Sequence, residues 1–334
     1  MSITFMRTLG RSGIEVSPLG LGCWAIGGPW MFNGSPAGWS GVDDAESTRA
    51  IQQALELGVN FFDTAANYGA GHSERLLGKV LKGRRGKVVI ATKFGYQVDE
   101  AAKIVNHYDD KEEESDVASH LRDSLEASLR RLDTDYIDVY QLHVWGLTIE
   151  RALQAGAVLE ELVREGKIRT YGWSTDRVEA IRAFSGSPHC SVVQQQLSVL
   201  DGNLELLALC EEWNLASINR GPLGMGLLTG KFAPESSFGN DDVRHHAQWH
   251  PGFKDGRPTR EWLAQLDSIR EVLTSNGRSL AQGALAWLWA RSPVTVPIPG
   301  FKTTAQIEEN CKAMEFGPLT PDQMREIEQI LGRI

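Results

Sequence analysis

Short runs in which apolar and polar residues alternate recur along the chain: VNFFD (59–63), KVVIATK (87–93), YIDVYQLH (136–143), IRTYGWS (168–174), SVVQQQ (191–196), ASINR (216–220) and VTVPIPG (294–300). Each is rich in β-branched or aromatic residues and predicts a strand. The opening VSPLGLG (16–22) supplies an eighth candidate.

Between these runs the apolar period lengthens to that of a helix. DDAESTRAIQQALELG carries Asp43 or Asp44 as cap, Ile51, Ala54 and Leu55 on one face, and Gly58 as terminator. SHLRDSLEASLRRLD aligns Leu121, Leu125, Leu129 and Leu132 in one stripe. Further helical patterns occupy 148–165, 176–184, 203–213, 258–276 and 279–291. Eight strand–helix units with no linker or low-complexity break predict one α/β domain over 1–334, a (β/α)8 TIM barrel with its active site at the C-terminal face of the strands. The stretches 98–116 and 232–258 are expected to be loop insertions at that face.

Composition narrows the function classes. A net charge of −9 over 334 residues argues against a nucleic-acid partner and against an anionic membrane surface. The first residues have no apolar signal region and the longest apolar run, ALAWLWA (284–290), is too short to span a bilayer, so a cytoplasmic protein is expected. Cys23, Cys190, Cys210 and Cys311 lack metal or redox spacing and fit reduced thiols.

Three of the strand runs end on a chemically capable residue: Asp63, Lys93 and His143, with Tyr68 in the loop after the first. A closed barrel brings these ends to one mouth. A phenol with an ordinary pKa of about 10 is a poor acid at neutral pH unless a cation supports its phenolate. Lys93 is placed to be that cation, and Asp63 to keep it protonated and oriented. Taken singly, Asp63 and Lys93 read as well as a buried ion pair, Tyr68 as a rim residue and His143 as a core histidine; the shared position at strand ends favours chemistry. A phenol so arranged, with His143 orienting an oxygen, could protonate a carbonyl as a hydride arrives.

Two glycine-rich turns suggest where a phosphorylated cofactor would lie. PGFKTT puts Gly300 and Lys302 before a helix starting near Thr303 or Thr304, and NRGPLGMGLLTGK (219–231) carries Gly221, Gly224, Gly226 and Gly230. A plain turn and a flexible loop explain the same letters. The GxGxxA match at Gly20, Gly22 and Ala25 is rejected as a dinucleotide fingerprint, since Gly27, Gly28 and Pro29 forbid the helix it should open. No YxxxK pair occurs, and His245, His246 and His250 lack a recognised metal spacing, so no metal is expected.

With LGLGCWAIGG, DTAANYG, IATK and PGFKTTAQIEEN in this order, the chain resembles the aldo-keto reductase superfamily along nearly its whole length. GCWAIGG and GLLTGK resemble most the bacterial branch that includes the potassium-channel β-subunit-like and inositol-utilisation reductases. The resemblance implies a (β/α)8 barrel, NADPH (NADP+) as cofactor and a small-molecule carbonyl substrate. It puts the catalytic tetrad on Asp63, Tyr68, Lys93 and His143, with Tyr68 as proton donor.

It further implies that Ser174 and Gln194 hold the nicotinamide carboxamide, with Thr175 in the cofactor set where an asparagine is usual. Gly221, Pro222, Leu223, Gly224, Gly226 and Leu227 would cradle the pyrophosphate. Lys302, Gln306, Glu309 and Asn310 would surround the adenosine end, and Trp24, Lys231, Gly300, Phe301 and Thr303 complete the cofactor set. Arg220 aligns with a tyrosine that commonly stacks on the nicotinamide, and its cation is expected to favour the neutral reduced ring. Trp30, Trp145 and Trp249 are expected to line the substrate pocket with Trp24 and Tyr68. Two other functions fit the sequence: a redox-sensing regulatory subunit with little turnover, and an unrelated barrel enzyme gripping a phosphorylated substrate.

Overall fold

In the computed structural model the described residues are 5–107, 117–144 and 147–334. Eight parallel strands form one sheet: β1 (Leu21–Gly22), β2 (Phe61–Asp63), β3 (Val89–Phe94), β4 (Ile137–Leu142), β5 (Ile168–Ser174), β6 (Cys190–Gln196), β7 (Ala216–Arg220) and β8 (Thr295–Pro297). They pair in chain order. Its two edges then meet, because Gly20 N donates to Pro297 O at 2.9 Å, Gly22 N donates to Pro299 O at 3.1 Å, and Gly22 bridges Gly300 in parallel. At this seam a Cβ on Gly22 would stand 2.6 Å from Ile298 O, so only glycine allows the closure.

All eight predicted strands are present, and strand parity explains the layers. Phe61, Val89, Ala91, Val139, Val192, Ala216, Ile218, Val296 and Ile298 form one buried cluster inside the barrel. The alternate residues Phe62, Ile90, Tyr140 and Val193 belong to the larger cluster under the helices. A hairpin of Arg7–Thr8 against Glu15–Val16 adds Leu9, Ile14 and Val16 to the inner cluster and plugs one end.

The surrounding helices are α1 (Asp44–Glu56), α2 (His72–Leu81), α3 (Val117–Leu132), α4 (Ile149–Arg164), α5 (Val178–Phe184), α6 (Leu204–Glu212), α7 (Arg260–Ser268), α8 (Arg270–Thr274), α9 (Leu280–Arg291), α10 (Thr304–Phe316) and α11 (Pro321–Ile330). Asp43 is the cap of α1, accepting from Glu46 N. Leu121, Leu125, Leu129 and Leu132 are buried, each contributing about 1.5–3 kcal/mol of burial. The predicted helix over 258–276 is divided at Ile269 into α7 and α8. Helices α2 and α11 lie outside the predicted set.

Both insertions carry structure of their own. Tyr96–Asp99 and Ile104–His107 form a hairpin after β3, and it joins Met31–Phe32 and Ser35–Pro36 from the β1 loop in a four-stranded sheet. After β7, a turn at Gly224–Thr229 leads to a small hairpin, Phe253–Lys254 with Arg257–Pro258. The β1 and β7 loops touch over the open end, where Val243 N donates to Gly38 O at 2.9 Å and Ser40 Oγ to Asp242 Oδ2 at 3.2 Å.

Candidate active site

The parity that points Phe61 and Val89 inward also points Asp63 and Lys93 inward, one layer nearer the open end. Lys93 Nζ donates to Asp63 Oδ2 at 2.7 Å, to Thr64 O at 2.8 Å and to Tyr68 Oη at 3.1 Å. Three acceptors therefore fix one ammonium. Asp63 Oδ1 in turn accepts from Gln194 Nε2 at 2.8 Å and from Gln141 Nε2 at 3.2 Å. His143 follows β4 with its ring edge-on to Tyr68, the centroids 6.3 Å apart. The structure thus brings the four predicted chemical residues together.

Tyr68 is positioned by its backbone neighbours. A Cβ on Gly27 would lie 2.8 Å from Gly69 N and Tyr68 C, and one on Gly69 would lie 2.1 Å from Gly27 O. These two glycines let the β1 and β2 loops touch through bare backbone. Trp24 from the β1 loop stacks on the Tyr68 ring at 6.2 Å and 26°.

Burial raises the Tyr68 phenol above its ordinary pKa and outweighs the opposing pull of the Lys93 ammonium. This corrects the expectation that Lys93 makes the phenol more acidic overall: the phenol stays protonated, and the cation limits the cost of losing the proton. Burial lowers the Lys93 pKa, but the Asp63 carboxylate and then Tyr68 raise it to a net value above the ordinary one. His143 is held well below the usual imidazole range by burial, then by the Lys93 and Arg220 cations, so it is neutral. The site contains a protonated phenol, a permanent ammonium and an uncharged imidazole.

Of the predicted cofactor residues, Ser174, Thr175 and Gln194 lie together at the end of β5 and on β6, with Ser174 paired to Gln194 in register and Thr175 N donating to Gln194 O at 3.0 Å. Gly221, Pro222, Leu223, Gly224, Gly226 and Leu227 form the turn after β7. A Cβ on Gly221 would stand 2.6 Å from the Gln196 amide, and Gly226 has φ +97. The side chains of Leu223, Leu227 and Phe301 are buried in the core, which leaves only their backbone for a ligand.

Lys302 Nζ donates to Ser40 O at 2.6 Å and sits 5.2 Å from the Trp39 ring. Burial, then the Arg244 cation, lowers the pKa of both Lys231 and Lys302. Arg244 itself is bonded to Asp242 at 2.8 Å and 2.7 Å. Thr303 caps α10, Gln306 Oε1 accepts from Lys302 N at 2.7 Å, Glu309 O accepts from Gln282 Nε2 at 3.0 Å, and Asn310 is buried beside them. Cations that depress one another beside a glycine-rich turn fit a phosphorylated dinucleotide.

Other expectations need correction. Trp30 is buried with Ala70 and Val105 under the small sheet and acts as packing. Trp249 is 56% exposed, with its ring edge-on to His250 at 5.9 Å. Trp145 lies outside the described residues. Arg220 is paired: its Nη2 donates to Asp176 Oδ2 and its Nη1 to Gln196 Oε1 at 3.3 Å. Sequence patterning does not single out Gln141, Asp176, Arg244, Trp39, Ser40 or Tyr96, whose ring is edge-on to His143 at 5.4 Å. Parity alone could have indicated Gln141, two residues beyond the inward Val139; the others are brought in by loop contacts distant in sequence.

The aldo/keto reductase family model matches residues 18–332. The chain belongs to the aldo/keto reductase family. It is an NAD(P)H-dependent oxidoreductase, and its eight parallel strands are the barrel of that family. This reductase is 31% identical to aldo-keto reductase YhdN of Bacillus subtilis, over 90% of this chain and 86% of the relative. It is 30% identical to the NADH-specific methylglyoxal reductase of Escherichia coli, over 97% and 98% of the two chains. Among solved structures it is similar to the glycerol dehydrogenase AKR11B4 of Gluconobacter oxydans, with 31% identity, a TM-score of 0.81, and coverage of 100% of this chain and 96% of the other. No helix among the described residues is long and apolar enough to cross a membrane.

Proposed function

We propose that the protein reduces aldehydes or ketones to alcohols, reversibly, with NADPH as preferred cofactor and Tyr68 as proton donor, within a single domain. The observation that carries this reading is the Lys93 ammonium held jointly by Asp63, Thr64 O and Tyr68 Oη.

A reduced nicotinamide, held by the residues named below, would supply the hydride that the carbonyl carbon needs. Tyr68 gives its phenolic proton to the carbonyl oxygen, and the adjacent Lys93 ammonium stabilises the phenolate that remains. Asp63 keeps Lys93 charged and aimed, and Gln141 and Gln194 fix Asp63. His143, being neutral, offers the oxygen a hydrogen-bonding ring without a competing charge. Solvent returns the proton to Tyr68 after each turnover. Trp24, stacked on the Tyr68 ring, gives the carbonyl substrate an apolar wall.

Ser174, Thr175 and Gln194 would hold the carboxamide, the turn 221–227 the pyrophosphate, and Lys302 with Lys231 and Arg244 the 2′-phosphate. The last group supports NADPH over NADH, in contrast to the NADH-specific relative. GCWAIGG and GLLTGK support membership of the branch containing the channel β-subunit-like and inositol-utilisation reductases.

The test is Tyr68→Phe assayed against a panel of aldehydes. Turnover should be abolished while the NADPH dissociation constant is preserved. Multiple turnovers by Tyr68→Phe would refute the assignment of the acid, and a wild-type protein that binds NADPH without turnover would favour a sensor.

A further inference from the structure

Two cations stand at the barrel mouth, and each has its own carboxylate. Lys93 is paired with Asp63 and Arg220 with Asp176. The second pair is built from three neighbouring strand ends. Arg220 ends β7 in register with Gln196 of β6, and Gln196 Oε1 accepts from Arg220 Nη1 at 3.3 Å. Asp176, just beyond β5, accepts from Arg220 Nη2 with one oxygen and from Gln196 N at 2.7 Å with the other. Asn203 Nδ2 anchors the Asp176 backbone carbonyl at 3.2 Å. The side chains of Arg220 and Asp176 are 19% and 34% exposed, so water screens them only partly.

The Arg220 charge reaches the chemistry: it pulls the Tyr68 pKa down against burial, and it adds to burial and Lys93 in lowering that of His143. A carbonyl protonated by Tyr68 receives its hydride at the adjoining carbon. The nicotinamide ring must therefore lie in the same field. That ring is neutral when reduced and carries one positive charge when oxidised, so an uncompensated guanidinium would repel only the oxidised form.

We propose that Asp176 is a specificity-determining residue: by offsetting the Arg220 charge it lets the site hold the oxidised cofactor as well as the reduced one, and so lets the enzyme work from the alcohol side as well as from the carbonyl side. This rests on the nicotinamide reading given above. It makes Asp176 the carboxylate bonded to Arg220 that offsets its repulsion, with the Asp201 carboxyl also in the field of Arg220.

The test is to titrate NADPH by its fluorescence, and NADP+ by competition, into wild type, Asp176→Asn, Arg220→Gln and the double variant. Asparagine keeps an acceptor for Gln196 N but removes the charge. The ratio of the NADP+ to the NADPH dissociation constant should rise about tenfold in Asp176→Asn, the size of a partly screened charge interaction at such range. It should fall below the wild-type value in Arg220→Gln and return to it in the double variant.

A purely structural role would shift both constants by one factor, and an unchanged ratio in the single variants would overturn the proposal. If Asp176→Asn fails to fold, the opposite change in Arg220→Gln still decides the sign. A wild type that binds neither form would defeat the cofactor reading itself, whereas binding with an unmoved ratio defeats only the role of Asp176.

Discussion

Gln194 Nε2 donates to Asp63 Oδ1 at 2.8 Å, joining the carboxylate at the end of β2 to an amide on β6, across the barrel interior. Asp63 therefore has one oxygen for Lys93 and the other for two glutamines. Its direction is fixed before any substrate arrives.

Asp63→Asn leaves Lys93 buried without its counter-ion. Breaking such a pair should cost about 3–5 kcal/mol of stability, read from the urea midpoint and slope. Turnover should fall by about 10²-fold or more, because Lys93 then loses its charge and the phenol its support. A variant as stable and active as wild type would remove Asp63 from the mechanism.

Lys302→Ala tests the phosphate preference. Loss of one charge-assisted contact should weaken NADPH binding about tenfold or more and leave NADH binding nearly unchanged. Equal weakening of both cofactors, measured by fluorescence titration, would place Lys302 in a general structural role.

His250 links pH to stability. Its Nδ1 accepts from Gly252 N at 3.0 Å, and burial holds its pKa down to about 4. The folded value lies below the unfolded one of about 6.5, so the unfolded chain takes up the proton more readily. The stabilisation is complete above about pH 6.5 and is lost as pH falls through about 4, on the order of 3 kcal/mol in all. Urea unfolding of wild type at pH 7 and pH 4 should show this loss, and His250→Phe should show a smaller one. Identical pH dependence in the two proteins would contradict it.

The barrel was legible because its strands obey a period of two and its helices one near 3.6, both set by which face each element buries. The position of Asp63, Lys93 and His143 at strand ends followed from the same parity. Helix α2 escaped the pattern since it starts on Gly71, in a left-handed conformation and with no side-chain cap. Asp176 and Arg244 were invisible for a different reason. Their partners, Arg220 and the Lys231–Lys302 group, are assembled by loops far apart in the chain, and no local period reports such meetings. The sign of the Tyr68 shift was equally out of reach, because it depends on how completely the folded loops exclude water.

The seam at Gly22 and Gly300 has a consequence for biosynthesis. On the ribosome, strand β1 is made long before the residues that cover its free edge. Until they appear, a nascent chain exposes an unpaired edge able to associate with its neighbours on a polysome, and chaperone binding to stalled chains should be strongest just short of residue 300.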